Sequence, residues 1–188
     1  MARAWRREER LMWKLVGKGS RSGSSLPSRC GDLMRRPRTW VAITAVLLLG
    51  GPRGRRAAVR GVVCSGTSSL LHLLFKPLFR RRRPWRAQLM HLGPLTSSFP
   101  SGHTATDLGY MFGAAQELPL LLAPLSFVTL GSHWSLLRGR EHYPSDVLAG
   151  GALAFVVAGA AWKIRPPART VPDGAPGSPV EAARQGQG

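Results

Sequence analysis

Three groups of polar residues interrupt a largely apolar chain, and their side chains are those of phosphoryl chemistry. The first is Lys76-Pro-Leu-Phe-Arg80-Arg81-Arg82-Arg83-Pro84 and the second Ser97-Ser98-Phe99-Pro100-Ser101-Gly102-His103-Thr104. The third runs from Ser135 through Leu136, Arg138, Arg140, Glu141 and His142 to Asp146. Together they offer cations for an anion, two histidines and an aspartate. Each also has an ordinary explanation. Basic residues beside a membrane span anchor it at the headgroups, and Arg80, Arg81 and Arg82 are read that way. Ser101 can simply cap a helix, although the same geometry turns backbone N–H groups and a positive dipole end toward an anion. His142 and Asp146 can be a structural pair. Pro144 suits a first helical position, which puts Asp146 in the first turn, where its ionised form is favoured. From there it could hold the His142 imidazole in one tautomer. Two histidines and an aspartate could also suggest a metal, but the neighbouring cations argue for a phosphate instead. His72, His91 and His133 lack such company and are expected to be packed or interfacial.

The elements that must position these groups are apolar segments at residues 39–51, 57–75, 103–116, 118–137 and 147–162. Only residues 118–137 form an uncharged run of the roughly 20 residues that a span needs. Five such segments with short connections and no polar faces do not suit water-soluble layers. Their Gly, Ala, Ser and Thr suit close helix packing in a bilayer. If each segment spans, the chain crosses twice between the second group and the third, and not at all between the first and the second. All three groups then face one side, and Lys76, Arg83, His103, His142 and Asp146 can share a pocket.

Composition agrees with a membrane protein. The 188 residues carry 27 Lys+Arg against 9 Asp+Glu, a net charge of +18, yet 44% are hydrophobic, too apolar for a disordered polycation. Arginine supplies 23 of the 27 cations, favouring phosphate or an anionic surface as partner. A nucleic-acid binder would show a continuous basic stripe with aromatic platforms; here the cations punctuate apolar segments, so no nucleic acid is expected. Cys30 and Cys64 are too few for a disulfide framework or a four-ligand zinc module. Residues 1–38 read as a basic region, either an interfacial helix bearing Trp5, Met12, Trp13, Leu15 and Val16 followed by a linker, or a disordered basic leader. Residues 39–163 form the membrane domain, and the Pro/Gly-rich residues 164–188 a disordered tail.

The three groups taken together resemble the signature of the type 2 phosphatidic acid phosphatase superfamily: Lys-x6-Arg-Pro, then Pro-Ser-Gly-His, then Ser-Arg-x5-His-x3-Asp. Lys76 to Pro84 and Pro100 to His103 match in full, and Ser135, His142 and Asp146 match the third at the right spacing. The resemblance implies an all-α, multi-span transmembrane helical bundle. It also implies a lipid phosphate or diphosphate phosphatase needing neither metal nor other cofactor. By the same resemblance His142 is the nucleophile that forms a phosphohistidine, Asp146 orients it, and His103 is the general acid. Lys76, Arg83, Ser101 and the Gly102 amide hold the phosphoryl oxygens.

Two departures stand out. Leu136 replaces the arginine expected after Ser135, which removes a donor worth about a hundredfold in rate. Arg140, one helical turn on, is the candidate substitute, whereas Arg138 points elsewhere. The alternative function is therefore an impaired member that binds phosphorylated lipids or a membrane partner. Secondly, the family core has six spans and five are found here. Arg53, Arg55, Arg56 and Arg60 share a side with Lys163 and Arg165. The positive-inside rule makes that side cytoplasmic and the pocket of this cell-membrane protein extracytoplasmic.

Overall fold

The computed structural model describes residues 8, 10, 14, 31–34, 36–79, 81, 83–84, 97–139 and 141–164. From residue 37 on they form five helices: α1 (Pro37–Leu49), α2 (Gly51–Phe75), α3 (Gly102–Ala115), α4 (Leu122–Arg138) and α5 (Pro144–Lys163). No strand occurs among the described residues. A 3-10 turn, Lys76–Leu78, extends α2, and another, Pro119–Leu121, leads into α4. Of the basic leader, Glu8, Arg10 and Lys14 are helical. The remainder of its predicted interfacial helix and linker, and the predicted tail beyond residue 164, lie outside the described residues.

Helix boundaries follow local chemistry. Pro37 opens α1 and Pro144 opens α5, where a missing N–H costs nothing. Between α1 and α2 the chain reverses at Gly50 and Gly51, and Gly51 takes φ 74°, a conformation that disfavours any side chain. Three helical stretches, Gly51–Leu78, Pro119–Arg138 and Pro144–Lys163, are long and apolar enough to span a bilayer. This exceeds the one full-length run that sequence reading found, because α2 extends past its arginines and α5 includes its polar first turn.

α3 is the hub. It packs on α2 most extensively, then on α5 and α4. Small residues permit this approach: Gly109 and Gly113 of α3 lie against Ser68 and Cys64 of α2, and Ala57, Ala58, Ala105, Ala114 and Ala154 are buried. Larger groups, Leu47, Tyr110, Met111 and Leu125, fill the core between α1 and α4. Thr44 of α1 bonds the Tyr110 hydroxyl at 2.8 Å, and the Trp40 and Tyr110 rings lie 5.1 Å apart. Val59, Val63, Leu70, Leu74, Phe127, Leu130, Phe155 and Val156 project outward. In water they would be a liability; in lipid they are solvated.

The one carboxylate within α3, Asp107, is buried and accepts a hydrogen bond from the Ser132 hydroxyl of α4 at 2.9 Å. At the far end of the bundle Arg60 joins three helices. It bonds the Ala161 carbonyl of α5 at 3.2 Å, pairs with Glu117 after α3 at 3.1 Å and reaches the Gln116 side chain. The arginines opening α2 and the end of α5 therefore share one pole, and the three polar groups share the other.

Candidate active site

The second polar group builds the floor. Ser101 caps α3, its Oγ accepting the Thr104 amide at 3.4 Å, and helix geometry leaves the Gly102 amide without an intrahelical acceptor. The Ser101 amide donates to the Asp146 carbonyl at 3.0 Å, which fastens the start of α3 to the start of α5. A Cβ on Gly102 would come within 2.4 Å of His72 Nε2, so only glycine lets α2 close against this turn. His72 is buried, as expected of a packed residue, and its Nδ1 lies 2.7 Å from the Ser69 carbonyl.

The third group supplies the central imidazole. His142 is 1% exposed. Its Nδ1 lies 2.8 Å from the Ser98 carbonyl oxygen, an acceptor only, so this nitrogen carries the proton. Nε2 is thereby left with its lone pair, and it faces Arg83 Nη1 at 3.3 Å. Arg83 also donates to the Glu141 carbonyl at 3.2 Å. Asp146 is fully buried in the first turn of α5, where its Oδ2 accepts the Tyr143 amide at 2.9 Å and stands 3.7 Å from His142 Nδ1. The tautomer is thus set by the Ser98 carbonyl; Asp146 provides charge alongside.

Lys76 is half-buried at the end of α2, within electrostatic range of Arg83. His103 is exposed at the opening of the pocket, and buried His133 of α4 feels both His103 and His142. The structure therefore gathers Lys76, Arg83, Ser101, Gly102, His103, His142 and Asp146 at one pole. Arg140 lies outside the described residues. Leu136 is fully buried, and its neighbour Ser135 donates to a carboxylate oxygen of Asp32, from the helical turn at residues 31–34.

One expectation is corrected. Arg81 is not a headgroup anchor: it is 8% exposed and pairs with Asp146 Oδ1 at 2.8 Å. Within a run of four arginines nothing in the sequence separates it from Arg80 and Arg82, which lie outside the described residues. Glu8 was equally unforeseen. Its carboxylate pairs with Arg81 and accepts the Ser145 amide at 2.8 Å. Burial pushes its pKa up, but hydrogen bonds from Ser145 and Arg81 outweigh this and hold it below the ordinary value.

Comparison with known families decides the assignment, because the PAP2 superfamily model matches residues 57–169, more than half of the chain. The chain belongs to the PAP2 superfamily. No curated protein sequence matches it. Among solved structures, the fold is similar to the crystal structure of a transmembrane PAP2-type phosphatidylglycerolphosphate phosphatase from Bacillus subtilis. The TM-score is 0.63 at 20% identity, over 88% of this chain and 89% of that one. The PAP2 match covers all three polar groups, α2 from residue 57 onward and α3 to α5, and the expected all-α membrane bundle is the fold observed.

Proposed function

We propose that this PAP2 membrane protein is a metal-independent lipid phosphate or diphosphate phosphatase acting through a phosphohistidine at His142. The observation that carries the reading is the His142 ring, with Nδ1 protonated against the Ser98 carbonyl and Nε2 turned toward Arg83. In the first step the Nε2 lone pair attacks phosphorus, the bond to the leaving oxygen breaks, and His103 donates the proton that oxygen needs. In the second, His103 takes a proton from water, the resulting hydroxide attacks phosphorus, and the P–N bond breaks to release phosphate. Asp146 stabilises the cationic ring throughout. Lys76, Arg83, Ser101 and the Gly102 amide stabilise the phosphoryl oxygens as charge moves.

A lipid substrate is supported by the outward apolar surface and by an apolar cavity of about 580 Å³ between α1, α2 and α3. Its lining includes Trp40, Leu48, Val62, Ser69 and Thr106, and Thr106 bonds the His103 carbonyl at 3.0 Å. The basic pole of Arg53, Arg55, Arg56, Arg60 and Lys163 supports a cytoplasmic side there, and hence an extracytoplasmic pocket, by the positive-inside rule.

The test is phosphate release in detergent with chelator, from phosphatidic acid, phosphatidylglycerolphosphate and a polyprenyl diphosphate. Release by wild type and none by His142→Ala is expected; release persisting in His142→Ala overturns the assignment. A second reading, an impaired member that binds phosphorylated lipids, is favoured by two observations: Leu136 replaces a phosphate donor, and the Asp32 carboxylate occupies Ser135. It predicts lipid-phosphate binding without turnover, and turnover gained in Leu136→Arg.

A further inference from the structure

Asp146 is completely buried, and a carboxylate out of water requires charge compensation. The imidazole does not supply it, since His142 directs its N–H to Ser98 and stands 3.7 Å from Oδ2. Arg81 does. Its Nη1 reaches Asp146 Oδ1 at 2.8 Å and also the Ser145 hydroxyl. The guanidinium lies over the Tyr143 ring, 4.1 Å from its centroid, and Nη2 is held by Glu8. The Arg81 backbone is fixed as well: its carbonyl accepts the Ser98 amide at 2.9 Å, and its own amide donates to Ser97 Oγ at 3.2 Å. One residue thus grips both the carboxylate beside His142 and the strand of chain whose carbonyl sets the His142 tautomer.

We infer that Arg81 is a positioning residue for His142, acting through Asp146, with Glu8 of the N-terminal region as its electrostatic counterweight. The inference rests on the phosphatase reading above. Held at Oδ1 by Arg81 and at Oδ2 by the Tyr143 amide, Asp146 presents a fixed edge to the imidazole. Arg81 also offsets part of the carboxylate charge beside the ring. Glu8 tempers that effect by neutralising Arg81. Among the described residues, the other titratable and charged groups around the pair are Tyr143, His72 and Lys76 at the end of α2, His103 of α3, His133 of α4, and Arg83 and Glu141 of the connections.

The two charges act in opposite senses, which separates positioning from simple structural support. The experiment compares full-length wild type, Arg81→Gln, Arg81→Lys, Glu8→Gln and His142→Ala in detergent, with phosphatidic acid as probe, across pH. In Arg81→Gln, kcat falls about a hundredfold with little change in KM. The acidic limb of its kcat/KM profile moves up by about one pH unit. Arg81→Lys recovers about tenfold of the lost kcat, since a point charge replaces part of the fork. In Glu8→Gln the acidic limb moves down. Limbs that stay at the wild-type position, or shift together, overturn the inference. If Arg81→Gln shows no cooperative melting, the Glu8→Gln limb decides alone. Full activity in His142→Ala overturns the phosphatase mechanism itself. Activity lost in His142→Ala but unaltered in Arg81→Gln overturns only the role of Arg81. Wild type inactive on phosphatidic acid, phosphatidylglycerolphosphate and a polyprenyl diphosphate alike overturns both.

Discussion

His142 directs Nδ1 to the carbonyl oxygen of Ser98 at 2.8 Å, while the nearer oxygen of Asp146 stands 3.7 Å away. A neutral carbonyl, not the carboxylate, holds the tautomer. The two residues are therefore unequal: His142→Ala removes the reacting nitrogen, and its phosphate release falls by at least about a thousandfold. Asp146→Asn keeps the tautomer and loses only charge, so kcat falls by about ten- to a hundredfold. Initial rates on the same lipid phosphate rank the pair, and equal losses contradict the ranking.

Gly102 sits where α2 and α3 close on one another. Gly102→Ala forces His72 or the helix start to move, since its Cβ would lie 2.4 Å from His72 Nε2. Phosphate release drops about tenfold or more. A wild-type rate in this variant means that the turn has room to spare.

The Glu8 carboxylate is held below its ordinary value, so its contribution to stability is full above the unfolded Glu value and disappears as pH falls through the depressed one. The melting-temperature gap between wild type and Glu8→Gln persists at neutral pH and closes only below about pH 4. A gap that is constant down to pH 3 shows that the pair does not form.

Within the bilayer, Ser132 holds the Asp107 carboxylate. Ser132→Ala costs about 1 kcal/mol, in the range of hydrogen bonds between membrane helices, measured by denaturant unfolding in mixed micelles. No change indicates that water replaces the hydroxyl.

Much of this was legible in the sequence, because the apolar runs and the polar groups between them are local signals. Pro144 and Ser101 marked the starts of α5 and α3, and counting crossings put Lys76, His103 and His142 at one pole. What eluded reading was selection among identical residues and contacts across long separations. Arg81 looks like Arg80 and Arg82 until the fold turns it inward onto a residue 65 positions away. Ser98 contributes a backbone oxygen, which its side-chain type cannot advertise. Glu8 lies 137 positions from the amide it accepts, inside a region whose charge pattern suggested a membrane surface or a disordered leader.

α3 has 14 residues, about 21 Å of helix, against a hydrocarbon layer about 30 Å thick. It separates the Arg60 latch from the histidine pocket, so these two hydrophilic layers lie closer together than the leaflets they must meet. Such a mismatch is met by bilayer thinning, by tilt or by flanking cations that reach out to the interface, and Arg60 is a cation of that kind within α2.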